Sequence, residues 1–258
     1  MNEPESGERR VALVLGGSGD IGRATASRLA NDGMGVALAA RPSAALDEAA
    51  ASIARARSYA CDLARPADAE RLIAEVIRDF GRLDVLVAAA GAFRHGDFLS
   101  LKPEDWTDGF AAMFFGTVNV VTQAWPYLAA AKGHLVTVTG LFGVQPSARG
   151  ALPSAIAGAL LNFTKTTAEI GLRDGVSVNS VLPGPTQGRR QRDNLRTRPE
   201  YSGLDDEALF QAYAARFGID RLAKPEDVAD LVAYLVSDKG GHIRGASIVV
   251  DGGFSRLI

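Results

Sequence analysis

The chain has 258 residues, and its content of 47% hydrophobic and 22% charged residues is ordinary for a globular protein. A balance of 28 basic against 30 acidic residues gives a net charge of −2, which excludes overall basicity as an argument for nucleic-acid binding. The single cysteine, Cys61, excludes an internal disulfide, and the three histidines lack metal-ligand spacing, so we expect no metal site. The N-terminus lacks a signal-peptide core and no apolar run reaches about 18 residues, which together predict a cytoplasmic protein with no membrane contact.

The predicted elements alternate between strands and helices along the whole chain. Residues 1–9 are predicted to form a flexible tail, and residues 10–258 a single domain. Short apolar runs typical of buried parallel strands are Val11–Leu15, Gly35–Ala39, Ser58–Cys61, Val85–Ala89, His134–Thr139, Ser177–Val181 and Ser247–Val250. Amphipathic stretches typical of helices are Ile21–Asp32, Ser43–Arg55, Ala67–Phe80, Pro103–Ala131, Pro153–Asp174 and Pro225–Ser237. This order predicts an α/β fold, a doubly wound parallel sheet of about seven strands with helices on both faces.

A glycine-rich turn joins the first strand to the first helix, where glycines let a pyrophosphate approach backbone N–H groups. Its candidate cofactor-binding residues are Gly16, Ser18, Asp20, Ile21 and Gly22. Asp20 allows two interpretations. Its carboxylate either caps its own helix and brings negative charge near the pyrophosphate, or points outward without effect.

Arg41 follows the second strand, where a cofactor without a 2′-phosphate is usually met by an acidic residue. An arginine there suits a 2′-phosphate, so NADP(H) is favoured over NAD(H) if a cofactor is bound. The alternative is a solvated arginine that leads into Pro42.

Further motifs follow the later strands, namely Cys61-Asp62-Leu63, Ala90-Gly91, Pro183-Gly184-Pro185-Thr186 and Asp251-Gly252-Gly253. Together with the glycine turn, in this order and spacing, they make the chain resemble the short-chain dehydrogenase/reductase family over essentially its whole length. The resemblance implies a Rossmann-like domain, a nicotinamide cofactor and a homo-oligomer, either a dimer or a tetramer. It adds these residues to the expected cofactor site: Asp62, Leu63, Ala90, Gly91, Pro183, Gly184 and Thr186.

The same resemblance places the family's catalytic Asn, Ser, Tyr and Lys at Met113, Gly140, Pro153 and Ala157, none of which keeps the family residue. In the family, the Tyr transfers the substrate proton, the Lys lowers its pKa and binds the nicotinamide ribose, and the Ser positions the carbonyl. The five tyrosines and five lysines of the chain include no Tyr followed by a Lys four residues later, so no change of register restores the pair. Asp20 likewise stands where the family has its middle glycine.

The sequence favours the first of three functions, and the other two stay open as alternatives. The first is a redox-inactive family member that binds NADP(H) weakly, or another small ligand in an apolar cleft, or a partner such as a companion enzyme. The second is an NADPH-dependent carbonyl reductase whose proton comes from water, the substrate or His95, the one histidine near the family's substrate position. The third is a repurposed cyclase, isomerase, dehydratase or lyase.

The segment 186–215 is predicted to be a substrate-lid-like loop, with its most irregular part at Thr186–Leu204. It is rich in arginine between residues 189 and 198. These arginines could bind a phosphate, a carboxylate, an acyl carrier or nucleic acid, or could simply be solvated. Nucleic acid is the least favoured because no aromatic residues are interleaved with them, and we expect none to bind.

Overall fold

The computed structural model describes residues 9–91 and 96–257, so most of the predicted tail and the candidate His95 lie outside it. Seven parallel strands form one sheet in the order β3-β2-β1-β4-β5-β6-β7. Their bounds are β1 Val11–Leu15, β2 Gly35–Ala40, β3 Ala56–Ala60, β4 Val85–Ala88, β5 His134–Val138, β6 Ser177–Pro183 and β7 Ser247–Val250. The predicted doubly wound, Rossmann-like single domain is therefore confirmed. Strand order reverses between β1 and β4, and sheets of this kind bind ligands at such a crevice.

The helices of the described residues cover both faces of the sheet. They are α1 Asp20–Asn31, α2 Ala44–Ala51, α3 Pro66–Phe80, α4 Pro103–Gly109, α5 Gly116–Ala131, α6 Ala151–Asp174, α7 Arg189–Arg196, α8 Asp206–Ala215 and α9 Pro225–Leu235. Side chains of α1, α2 and α9 form one core cluster with the sheet, and those of α3, α5 and α6 form the other. Because β1 and β4 are covered on both faces, all of their residues are buried. No described helix has the length and apolarity needed to cross a bilayer.

Several element boundaries differ from the sequence-based prediction, and two of these differences have a clear structural cause. The third strand begins at Ala56 rather than Ser58, because it is the edge strand and most of its side chains reach solvent, which hides the apolar signal. The predicted helix Pro103–Ala131 is interrupted by a π-helical segment, Phe110–Phe115, between α4 and α5. After it, Gly116 packs so closely on Leu63 that a Cβ would lie 2.6 Å from the Leu63 carbonyl oxygen.

The segment 186–215, which we call the lid segment, is mainly helical and not the predicted irregular loop. It contains α7, a 3₁₀ turn at Pro199–Tyr201, and α8, whose first turn is capped by the Asp205 carboxylate at 2.8 Å from the Ala208 nitrogen. The segment and the residues after it have an apolar cluster of their own: Leu195, Tyr201, Leu209, Tyr213, Ala214, Ile219 and Leu222. The helix α7 was missed because five of its eight residues are charged and a single leucine anchors it.

Candidate cofactor and active site

The residues predicted to bind a cofactor all lie at the carboxyl edge of the sheet. They follow β1 (Gly16, Ser18, Asp20, Ile21, Gly22), β2 (Arg41), β3 (Asp62, Leu63), β4 (Ala90, Gly91) and β6 (Gly184, Thr186), with Pro183 as the last residue of β6. The fold therefore brings together residues that are up to 170 positions apart in the chain, because parallel strands end at the same edge.

The glycine turn has the close packing of a phosphate-binding loop. Gly16 has a φ of +78°, and a Cβ there would come within 2.8 Å of the Ala89 and Ala90 backbone. A Cβ on Gly22 would overlap the Gly16 carbonyl oxygen. The N-cap of α1 is Gly19, and no described side chain caps this helix. The first N–H groups of α1 can therefore face an anion, which is the arrangement that a pyrophosphate requires.

Asp20 follows neither sequence-based interpretation. Its carboxylate does not cap α1, and although the residue is exposed, it is bound to the lid segment. The Arg189 backbone N–H, at the start of α7, donates to Asp20 Oδ2 over 3.0 Å. The preceding residue, Gly188, has a φ of +139° and lies so close that any side chain would collide with the carboxylate. The charge of Asp20 is therefore offset by the positive end of α7.

A second contact ties α7 to the loop that follows β4. Arg190 Nη1 donates to the Gly91 carbonyl oxygen over 3.0 Å. The other arginines of α7 face α8, where Arg192 and Arg196 pair with Asp206 at 3.4 and 2.6 Å. Of the five arginines between residues 189 and 198, Arg190 thus reaches the carboxyl edge of the sheet, whereas Arg192 and Arg196 hold α7 against α8.

The adenosine end of the candidate site offers one cation and one structured turn. Arg41 is exposed at the end of β2, and within residues 9–91 and 96–257 its guanidinium has no hydrogen-bond or ion-pair partner. The Asp62 backbone N–H donates to Asp68 Oδ2 over 2.8 Å, which lowers the pKa of the Asp68 carboxyl. The Asp62 side chain accepts from the Ala64 nitrogen at 3.1 Å, so the turn after β3 is held from both sides.

The positions assigned to the family's tetrad meet near the start of α6. Gly140 follows β5 with a φ of +81°, and the 3₁₀ turn after it packs so that a Cβ on Gly143 would lie 3.0 Å from the Ala157 backbone. Pro153 and Ala157 are buried one turn apart on α6. Met113 is buried in an apolar cluster with Leu152, Ile156 and Leu160, whereas Phe115 in the same segment is 55% exposed. These four positions carry no polar side chain and supply no proton.

A chain of hydroxyl groups lies beside Gly140 and was not foreseen. Thr139 Oγ1 is 3.1 Å from Ser180 Oγ, which accepts from Thr137 Oγ1 at 3.0 Å. Thr137 Oγ1 is in turn 3.0 Å from Thr164 Oγ1 on α6. Two members donate to backbone carbonyls, Ser180 to Thr137 at 3.3 Å and Thr164 to Leu160 at 2.7 Å. The alternation of Thr137 and Thr139 on β5 was the sequence signal for this chain of hydroxyls. It could not identify the partners, because Ser180 is 41 residues from Thr139 and Thr164 is 27 residues from Thr137.

The hydrogen-bond network limits what Thr139 can do. In the pair with Ser180 either hydroxyl could be the donor, so Thr139 can donate or accept. Its network contains no ionisable group, so Thr139 can orient a hydroxyl or amide group of a ligand but is not equipped as a general acid.

Other titratable groups of interest lie away from this edge of the sheet or are inert. Burial raises the pKa of the Cys61 thiol to about 11, so this cysteine acts as a small buried residue and not as a reactive thiol. Burial lowers the pKa of His134, at the opposite end of β5, to about 4. In the part of the chain that the structure describes, no cluster of His, Cys, Asp and Glu could hold a metal ion.

Comparison with known proteins adds to this geometry. A family model described as enoyl-(acyl carrier protein) reductase matches residues 17–255. A curated relative, meso-2,3-butanediol dehydrogenase from Serratia marcescens, is 31% identical over 248 residues, which cover 95% of this chain and 94% of the relative.

Two solved structures resemble the whole chain. L-sorbose reductase from Gluconobacter frateurii, complexed with NADPH and L-sorbose, has a TM-score of 0.91 and 26% identity, and the match covers 97% of this chain and 98% of that one. A short-chain oxidoreductase from Pseudomonas aeruginosa PAO1, NADPH-bound and described as containing an atypical catalytic center, has a TM-score of 0.88 and 27% identity, covering 96% and 98%.

Proposed function

Because the chain belongs to the short-chain dehydrogenase/reductase family, we propose that it is an NADPH-dependent reductase of a carbonyl compound that works without the family's Tyr and Lys. One observation carries the proposal. A solved relative of the same fold combines bound NADPH with an atypical catalytic center, so departures at that center are compatible with cofactor binding. The relatives compared above are a dehydrogenase and two oxidoreductases, which favours the reductase over the redox-inactive interpretation.

The residues at the carboxyl edge fit a dinucleotide with a 2′-phosphate. Gly16 and Gly22 leave a cradle that a Cβ would fill, and the uncapped start of α1 presents N–H groups to the pyrophosphate. Arg41, which has no partner among the described residues, would take the 2′-phosphate. Asp62 and Gly91 would border the adenosine, and the turn around Thr186 would border the nicotinamide. When bound, NADPH supplies the hydride.

The chain's own contribution to the reaction would be orientation and exclusion of water. Met113, Pro153 and Ala157 provide an apolar surface where the family has polar groups, which strengthens electrostatic interactions nearby. The Thr139 hydroxyl would hydrogen-bond to the substrate and so orient it. The proton would come from water or from the substrate itself. His95, outside the described residues, stays the alternative donor, and a His95→Ala variant with unchanged turnover would remove it.

The experiment is a titration with NADPH and NADH by calorimetry, followed by turnover of reactive carbonyl compounds such as a 1,2-diketone or a quinone. We expect NADPH to bind more tightly than NADH, and deuterium from NADPH labelled at the transferred position to appear in the product. Absence of binding by either cofactor contradicts the proposal. Tight binding without deuterium transfer to any carbonyl supports the redox-inactive interpretation.

We also propose a homo-oligomer built on helix faces that the fold leaves uncovered. On α6, Gly158 has no atom within 4 Å of a built Cβ, and Ile170 and Leu172 near its end are 42% and 64% exposed. Small residues permit close approach of helices, and exposed apolar residues favour burial. Light scattering that gives the mass of a single chain, about 27 kDa, would contradict this proposal.

A further inference from the structure

The start of α7 is tied to both loops that flank the crevice between β1 and β4. On one side, Asp20 Oδ2 accepts from the Arg189 nitrogen, and on the other, Arg190 Nη1 donates to the Gly91 carbonyl. The sequence separations are 169 and 99 residues, so these contacts are tertiary and not a consequence of local chain geometry. We call the pair of hydrogen bonds the α7 strap.

The two ends of the strap stand on opposite walls of the candidate cofactor groove. Asp20 is the first residue of α1, which follows the glycine turn, and Gly91 follows β4. Residues 188–190 therefore cross the crevice in which the proposed function places the dinucleotide. A dinucleotide bound between these walls would therefore lie next to the strap.

The residues of the strap are suited to holding this position. Gly188 adopts a φ of +139°, and its lack of a side chain lets the Asp20 carboxylate approach the Arg189 N–H. The bond is charge-assisted on the acceptor side, and the partial positive charge of the α7 N-terminus adds to it. On the side that precedes α7, the chain is held by the hydrogen bond from the Gln187 nitrogen to the Ala223 carbonyl at 2.7 Å.

We propose that Asp20 and Arg190 are positioning residues that hold the lid segment closed across the cofactor groove and slow the release of the dinucleotide. The inference rests on the proposed function for the identity of the ligand, but the strap itself is a property of the free protein. A carboxylate near the pyrophosphate would otherwise weaken binding by repulsion. Repulsion and strapping make opposite predictions for the release rate, because removing a repulsive charge slows release whereas removing the strap accelerates it.

The test is the isosteric variant Asp20→Asn, whose neutral amide oxygen is a weaker acceptor for the Arg189 N–H, with Arg190→Gln as the change on the other side and Asp193→Asn as the matched control. Asp193 lies on the same helix, is exposed and pairs with its neighbour Arg192 at 3.2 Å, so the control removes an equal charge without touching the strap. Two measurements are made on each protein: hydrogen–deuterium exchange of residues 188–196 without cofactor, and release of NADPH by stopped-flow fluorescence.

Asp20→Asn and Arg190→Gln should each raise exchange in residues 188–196 and accelerate NADPH release by about three- to tenfold, the range that one exposed, charge-assisted hydrogen bond accounts for. Asp193→Asn should change neither. Unchanged exchange in both strap variants, or slower NADPH release from Asp20→Asn, would overturn the proposal. If NADPH does not bind to the wild-type protein, the proposed function fails, while the exchange measurement still decides whether the strap exists.

Discussion

The two halves of the sheet's carboxyl edge differ in chemistry although they share one scaffold. The edge around β1, β2 and β4 combines tight glycines, uncapped helix N–H groups and the cation Arg41. The edge around β5 and α6 presents Gly140, Pro153 and Ala157 at the positions that the sequence resemblance assigns to the family's hydroxyl and ammonium groups. We call them the nucleotide half and the reaction half. If the proposed function holds, the residues that bind the dinucleotide and those that transfer a proton are separate sets, and the first set can persist without the second.

The largest expected effect is on the nucleotide half. In Gly22→Ala the added methyl overlaps the Gly16 carbonyl, so the loop has to shift and its N–H donors move away from the pyrophosphate. Overpacking costs about 1–3 kcal/mol and each lost bond to a charged group about 1.5–3 kcal/mol, so NADPH affinity should fall by about 100-fold in calorimetry. Gly241→Ala, where an added Cβ comes no closer than 3.3 Å to a residue other than its chain neighbours, is the control and should bind as the wild type does. Wild-type affinity in Gly22→Ala would show that the nucleotide half is misassigned.

The second expected effect is a pH dependence of the protein's stability that arises from His134. The pKa of His134 is about 4 in the folded protein against its usual 6.5, because the ring is buried. Between these values the unfolded chain binds more protons, so the free energy of unfolding falls as pH drops from 6.5 toward 4, by up to about 3 kcal/mol.

Urea unfolding at pH 7.5 and pH 5 measures this dependence. We expect His134→Gln to lose part of the stability difference between the two pH values, whereas the exposed His242→Gln should retain all of it. An identical pH dependence in wild type and His134→Gln would mean that the ring is not held neutral by burial.

The third effect sharpens the assignment of the cofactor. Arg41→Ala should weaken NADPH binding by roughly tenfold and leave NADH binding unchanged, because only NADPH has a 2′-phosphate to lose its partner. Arg78→Ala removes the same charge at the end of α3, on the opposite edge of the sheet, and should affect neither cofactor. An equal loss for both cofactors would indicate a general electrostatic effect and not recognition of the 2′-phosphate.

The smallest effect is expected in the reaction half. Thr139→Val removes the hydroxyl at the end of the hydroxyl chain, which is not a general acid. Turnover should therefore fall by less than about threefold, against the roughly 10²- to 10⁴-fold that a positioned general acid contributes. Steady-state kinetics with NADPH and a reactive carbonyl measure this change. A loss of two orders of magnitude, rescued by Thr139→Ser, would show that Thr139 takes part in proton transfer and would remove the contrast between the halves.

Much of the nucleotide half was predictable because its signals are local. A glycine turn between an apolar run and a helix predicts the loop of Gly16 and Gly22 from sequence alone, and the apolar runs predicted seven strands, five of them with bounds correct within one residue. The lid segment was not predictable in the same way. Its arginines look solvated in the sequence, and only the packing of Leu195 against residues of α8 and beyond makes α7 a helix.

What the sequence determined by itself is which side chains are present: strand patterns that specify a doubly wound sheet, glycines that specify the loop, and ten tyrosine and lysine positions that contain no catalytic pair in any register. What only the tertiary structure decided is where polar groups find their partners. The Asp20 carboxylate meets a backbone N–H 169 residues away, and the Thr139 hydroxyl meets Ser180 on another strand. Residue identity and the periodicity of apolar residues are local properties of a chain. Hydrogen-bond partners depend instead on which strand and helix ends the fold brings to the same edge of the sheet.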